Sequence, residues 1–247
     1  IAYDMGGTST DISLIENGTP HVSAEKFEGG WKIAVPMIDI HTLGAGGGSI
    51  ASVDAGGILH VGPESAGADP GPACYGKGGL HPTVTDANLV LGYLDPENFL
   101  GGKARLDRER ADEALEEHVA RPLGLSTVEA AHGVCRVVST AIAEGIRLMS
   151  VQRGVDPRQF AILAFGGASG LQVAQVARQL QVERVYIPAA APVMSAFGML
   201  CTDLKYDFSR SHTASLGQID LDAAKAIMDE LEAQGREKLR AQGVTDQ

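Results

Sequence analysis

Near the amino terminus, Asp4-Met-Gly-Gly-Thr-Ser-Thr-Asp11 sets two carboxylates, two adjacent glycines and three hydroxyls between short apolar runs. A turn that only reverses a strand needs about two residues, commonly Asn-Gly or Asp-Gly, so this one carries more polar groups than geometry requires. Gly6 and Gly7 let backbone N–H groups converge on an anion, and Thr8, Ser9 and Thr10 add hydroxyl donors. Asp4 and Asp11 would repel a bare phosphate, but they fit beside one when Mg²⁺ lies between, held directly or through its waters. The combination reads as a metal-nucleotide site. The alternative is a tight hairpin whose Asp and Thr side chains satisfy only their own backbone.

Other patterns fall short of a chemistry. Gly71 to Gly78 has the spacing of a phosphate-binding P-loop, yet Gly78 stands where a Ser or Thr would reach magnesium and no helix follows directly. The cluster from Gly44 to Ser49 lacks the third glycine of a dinucleotide fingerprint, and Ser169 does not fit a hydrolase elbow. His132 and Glu129 share one helical turn without further ligands nearby. Asp39 and His41 would point to one face of a strand, offering a metal or substrate contact or else a hydrogen-bonded pair that organises a loop.

Composition bounds the class. Lys and Arg number 20 against 31 Asp and Glu, a net charge of −11, which argues against a general nucleic-acid or anionic-membrane surface. Cys74, Cys135 and Cys201 lie far apart, so neither a disulfide framework nor a zinc knuckle is indicated and a reducing cytoplasm fits best. The longest uncharged stretch, Val185 to Thr202, is broken by Pro188, Pro192 and Gly198, and it reads as a buried strand and helix start rather than a membrane span. The chain opens abruptly on Ile1, three residues before the suspected site, as a piece of a longer polypeptide would.

The elements that must position these residues follow from periodicity. Short β-runs are expected at Ala2–Tyr3, Ile12–Ile15, Lys32–Val35 and Ile58–Val61. The segment Leu43 to Ser52, bracketed by apolar runs, reads as an ordered loop rather than a linker. Helices are expected over Thr83–Leu94, across the DRERADEALEEHVA stretch before Pro122, and over Thr127–Arg153, whose Val128, Ala131, Cys135, Val138, Ile142, Ile146 and Met149 fall on one face. A strand from Phe160 to Phe165, a Gly-Gly turn, a helix to Leu180, a further strand and a solvent-facing helix from Leu221 complete an α/β layer order.

At the opening turn the sequence resembles the second phosphate-binding hairpin of the actin, Hsp70 and sugar-kinase superfamily, in its hydantoinase A and 5-oxoprolinase branch. Ile38–Ala51, Val61–Gly79, Pro82–Leu94 and Ile162–Gly167 are similar to that branch as well. The resemblance implies that residues 1–247 form one lobe of an actin-like, ribonuclease H-like ATPase fold, a mixed sheet with flanking helices, carrying a Gly-rich insertion at about 38–82. It implies ATP and Mg²⁺ in a cleft whose other wall is an N-terminal lobe absent from this sequence, so the chain alone is expected to be inactive. In that reading Gly6, Gly7, Thr8, Ser9 and Thr10 hold phosphates, Asp4 and Asp11 orient Mg²⁺, and Gly166 and Gly167 border adenosine, with Asp39, His41, Gly46 and Gly47 as further candidates near substrate. The family's usual GGAGPLH is GGASGLQ here, placing Ser169, Gly170 and Gln172 at the Gly, Pro and His positions.

The branch implies an ATP-dependent hydrolase of cyclic amides such as a hydantoin, a lactam or 5-oxoproline, acting by phosphorylation of the carbonyl and paired with a hydantoinase B-type subunit or domain. Rival readings are a ketone carboxylase subunit, a sugar or acid kinase, and a non-enzymatic nucleotide-binding module of the same fold.

Overall fold

The first strand separates the two faces of the sheet: β1 (Ala2–Met5) buries Tyr3 and Met5 completely, while Asp4 between them is half-buried. Period-two alternation of this kind puts one face on a core and leaves the other for function. The structure, a computed structural model, describes residues 1–23, 26–33, 36–215, 217 and 219–244. β1 pairs antiparallel with β2 (Thr10–Ser13), which pairs antiparallel with β3 (Ile40–Leu43). On its other side β1 runs parallel to β6 (Ala161–Phe165), and β6 parallel to β7 (Arg184–Tyr186). The resulting five-stranded mixed sheet has the order β7-β6-β1-β2-β3. Two further strands, β4 (Ser49–Val53) and β5 (Leu59–Ser65), form a separate antiparallel ladder.

Helices cover the face that carries Tyr3 and Ile12. α1 (Val84–Val90) is buried along its whole length, α2 (Arg108–Leu115) packs beside it, and α3 (Thr127–Val151) is the central element. Ser126 and Glu129 form a reciprocal capping box that starts α3, which commits Glu129 to the helix end rather than to His132. Of the face expected from periodicity, Ala131, Cys135, Val138, Ile142, Ile146 and Met149 are buried, whereas Val128 is 56% exposed in the first turn. Gly145 lets α3 approach the sheet closely, since a Cβ there would come within 2.7 Å of Leu43 and 3.3 Å of Ile12. α4 (Ser169–Leu180) lies alongside α3. Each fully buried aliphatic side chain in this layer contributes about 1.5–3 kcal/mol.

Most expected elements are present, with altered limits. The strand expected at Lys32–Val35 is seen as Trp31–Ile33, and residues 34 and 35 lie outside the described residues. The stretch from Val185 to Thr202 departs from expectation: Tyr186, Ile187, Phe197, Met199 and Leu200 are all more than half exposed. β7 is the edge of the sheet, and α5 (Met194–Leu200) has no buried residue, so the apolar run has no layer above it among the described residues.

The chain divides into two compact units, residues 1–195 and 196–247. The second unit is built around α6 (Leu221–Ala241), on which no residue is buried. Within that unit Arg210 pairs with Glu230 through two contacts of 2.5 and 2.8 Å, and the Lys238 ammonium lies 5.1 Å from the centre of the Tyr206 ring. Among the described residues no helix is long and apolar enough to cross a membrane.

Candidate nucleotide-phosphate site

Strand register brings the two carboxylates together. Asp4 of β1 and Asp11 of β2 are directly opposed partners, and the turn between them closes with Gly6 N–H donating to Ser9 O at 3.1 Å. Directly opposed like charges destabilise a strand pair, so this arrangement favours a cation at the same face. Neither Gly6 nor Gly7 has φ in the left-handed region, and a Cβ on either would meet nothing within 4 Å. Among the described residues, neither a left-handed φ nor a neighbouring atom calls for glycine at these positions. The space beside the turn is open, with Gly7 and Thr8 exposed and Ser9 half-buried. Thr8 Oγ1 lies 3.3 Å from Ser65 Oγ at the end of β5.

The glycine-rich loop lies beneath this turn. Gly47 N–H donates to Gly6 O at 3.0 Å and Gly48 N–H to Gly7 O at 2.6 Å. A Cβ on Gly46 would sit 2.6 Å from Thr8 N and 2.7 Å from the carbonyl carbons of Gly7 and Thr8, so only glycine lets the two backbones meet. Gly46 and Gly47 are therefore buried supports of the hairpin, which corrects their reading as substrate contacts. Thr10 is corrected likewise. It points to the core face, is fully buried, and donates its hydroxyl to Ala45 O at 2.6 Å instead of facing the open side.

The second glycine pair arrives from the other side. Asp4 is in register with Phe165, and the next residue, Gly166, has φ 88° in the left-handed region. A Cβ there would fall 2.3 Å from Asp4 Oδ1, so Gly166 lies directly against that carboxylate. Ala168 N–H donates to Met5 O at 2.9 Å and fixes this turn to β1, while Gly167 is exposed with open space around it. The structure thus gathers Asp4, Gly6, Gly7, Thr8, Ser9, Asp11, Gly166 and Gly167 around one surface.

It does not gather Asp39 and His41 there. His41 is the register partner of Ile12 and therefore lies on the helix-covered face, opposite Asp11, whose own partner is Thr42. Asp39 is ion-paired with Arg153 at the end of α3. Three residues that sequence reasoning did not single out are in contact instead. Thr42 Oγ1 donates to Asp11 Oδ1 at 2.6 Å, Ser195 Oγ donates to Asp4 Oδ2 at 2.6 Å, and Thr85 at the start of α1 holds the loop at Gly47. Such contacts join distant parts of the chain, and residue type alone gives no signal for them.

Gln172, at the position of the family's usual histidine, lies away from this surface. It is 1% exposed in the seam between α4, α3 and α1, where its amide donates to Asn88 at 3.1 Å and accepts from Ser139 at 3.0 Å. A neutral amide satisfies both partners at once, which a buried group must do.

Among the described residues no three His, Cys, Asp or Glu side chains group as a complete metal cage. Two carboxylates at an open glycine turn suit Mg²⁺, which keeps several waters and takes its other ligands from phosphates.

The hydantoinase/oxoprolinase profile matches residues 1–208. The chain is 45% identical over 245 residues to the caprolactamase subunit alpha of Pseudomonas jessenii, covering 98% of this chain and 35% of that protein. Its structure is similar to that of an acetone carboxylase solved nucleotide-free, from work on ATP-dependent acetone carboxylation, with a TM-score of 0.87 and 31% identity over 99% of this chain and 36% of that one. The crystal structure of the ATP-dependent caprolactamase of P. jessenii superposes with a TM-score of 0.76 and 43% identity, covering 97% and 35% of the two chains. The chain spans about a third of the length of these relatives. The match across most of the sequence, and the mixed α/β lobe that carries it, place this chain in the hydantoinase/oxoprolinase family.

Proposed function

We propose that this chain supplies one wall of an ATP site that phosphorylates the carbonyl oxygen of a cyclic amide, so that water can open the ring. The observation that carries the reading is the pair Gly6 and Gly7, which no contact among the described residues requires to be glycine and which border open space beside two opposed carboxylates. Bound Mg²⁺ and ATP would supply the phosphoryl group and neutralise its charge; phosphoryl transfer asks the protein mainly for positioning and electrostatics. The chain's own share is to present the Gly7, Thr8 and Ser9 donors to phosphate oxygens, with Gly6 closing the turn through its own N–H and leaving the approach free of a side chain, and to hold Asp4 and Asp11 towards the cation. Gly166 and Gly167 keep the adenosine side free of side chains, at the start of a helix that favours negative charge.

The 45% identity to a caprolactamase subunit favours a lactam or related cyclic amide as substrate. An opposing lobe and a hydantoinase B-type subunit complete the enzyme in this reading, in the cytoplasm. A ketone carboxylase is the second reading, supported by the structural likeness to acetone carboxylase.

The test is ATP consumption by the full-length protein with its partner subunit, challenged with caprolactam, hydantoin, 5-oxoproline and acetophenone. Amide-stimulated turnover, abolished by Asp11→Ala, is the expected result. Turnover only with a ketone and bicarbonate would transfer the assignment to the carboxylase, and turnover indifferent to Asp11→Ala would remove the metal role.

A further inference from the structure

Asp4 and Asp11 each have one oxygen taken by a hydroxyl that comes from outside the hairpin. Thr42, on the neighbouring strand β3, donates to Asp11 Oδ1 at 2.6 Å, and Ser195, at the start of α5, donates to Asp4 Oδ2 at 2.6 Å. Both distances lie in the range of charge-assisted O–H···O⁻ bonds. The second oxygen of each carboxylate accepts no hydrogen bond among the described residues. Two opposed carboxylates left to themselves would rotate apart, because their charges repel. Here one donor on each outer side fixes the rotation of each group.

Both donor side chains are exposed, and each is carried by a backbone segment tied to the sheet. Thr42 is held by the β2–β3 ladder, as the register partner of Asp11. Ser195 follows the 3₁₀ turn Ala191–Val193, whose Ala191 carbonyl accepts from Gly166 N–H at 2.8 Å, so the segment bearing Ser195 is docked on the same glycine turn that abuts Asp4.

We propose that Thr42 and Ser195 are positioning residues that fix which oxygen of Asp11 and of Asp4 is presented to the cation, and thereby make the site discriminate Mg²⁺ from the larger, geometrically tolerant Ca²⁺. The inference rests on the reading of the hairpin as a metal-nucleotide site. Mg²⁺ demands near-ideal octahedral geometry whereas Ca²⁺ accepts irregular coordination, so loosening the carboxylates penalises Mg²⁺ selectively. Partners that orient metal ligands typically contribute a factor of about 10–100 in affinity.

The experiment titrates a non-hydrolysable ATP analogue into the full-length protein by calorimetry, with Mg²⁺, with Ca²⁺ and with chelator, for wild type, Thr42→Val and Ser195→Ala. Thr42→Ser and Ser195→Thr serve as conservative partners, and ligand-free melting temperature reports folding. We expect wild type to bind more tightly with Mg²⁺ than with Ca²⁺ or chelator. Each hydroxyl-deleting variant should lose roughly tenfold in the Mg²⁺ affinity while its chelator and Ca²⁺ values hold, and the conservative variants should restore it. Variants that keep the wild-type Mg²⁺ increment, or that weaken binding equally under all three conditions, overturn the positioning role alone. A wild type with no Mg²⁺ increment overturns the metal-nucleotide reading and this inference with it.

Discussion

Thr85 holds the Gly47 carbonyl twice, through its backbone N–H and through its hydroxyl, both at 2.8 Å. Gly47 in turn donates to Gly6 O, so the first turn of α1 reaches the Gly6–Gly7 turn through a single intervening residue. Thr83 caps the same helix in a reciprocal box with Asp86, and Asp86 also accepts from Cys74 N–H at 2.8 Å. The open turn is therefore the visible end of a buried polar frame.

Thr85→Val removes one of the two donors while keeping the shape of the side chain. A buried hydrogen bond of this type is worth about 1 kcal/mol. We expect a loss of that size in chemical denaturation, together with weaker binding of an ATP analogue. An unchanged affinity would show that the frame does not control the turn.

The two glycine clusters should respond oppositely to the same substitution. At Gly46 a methyl group would overlap Thr8 and Gly7 backbone, which cannot yield without moving the hairpin. Overpacking of this sort costs about 1–3 kcal/mol or more. At Gly6 a methyl group meets no protein atom. Gly46→Ala should thus lower the melting temperature of the ligand-free protein, and Gly6→Ala should leave it near wild type while cutting nucleotide affinity. Equal melting losses in both would contradict the open-cradle reading.

How much of this was legible beforehand depends on the range over which the signal acts. The helix from Thr127 and the β1–β2 hairpin follow from local periodicity and turn chemistry, and both are where they were expected. The role of Gly46 was not legible, because glycine in a loop looks the same whether a ligand or another backbone approaches it. Thr10 reads as one of three adjacent hydroxyls, yet strand alternation turns it into the core at Ala45. The face on which His41 lies depends on its pairing with Ile12, a long-range register that local sequence does not display. Tyr186 and Ile187 are apolar and exposed because β7 is an edge strand, a fact of sheet order rather than of composition.

Thiol chemistry offers a check on burial. Burial pushes the Cys135 thiol up to about 11, and burial followed by the nearby Asp86 carboxylate pushes Cys74 up as well, whereas Cys201 is exposed. The thiolate is the reactive form, so at pH 7.5 a maleimide should label Cys201 alone in the native protein and all three cysteines after denaturation. The sign for stability follows. An unfolded cysteine loses its proton near pH 8.5 while folded Cys135 keeps it to about 11, so stability should fall as pH rises through that interval. Rapid native labelling of Cys135, or stability flat across that range, would contradict the burial.

The pairing of Asp4 with Asp11 has a consequence for how this protein can fail. Sliding β2 by a single residue against β1 would send Asp11 into the hydrocarbon interior now filled by Ile12 and expose Ile12 to water. Chemistry and folding are thus locked to one alignment of two short strands. A slip at that seam should abolish the site in a single step, as a latch releases, unlike the graded losses expected from Gly6→Ala or Thr42→Val.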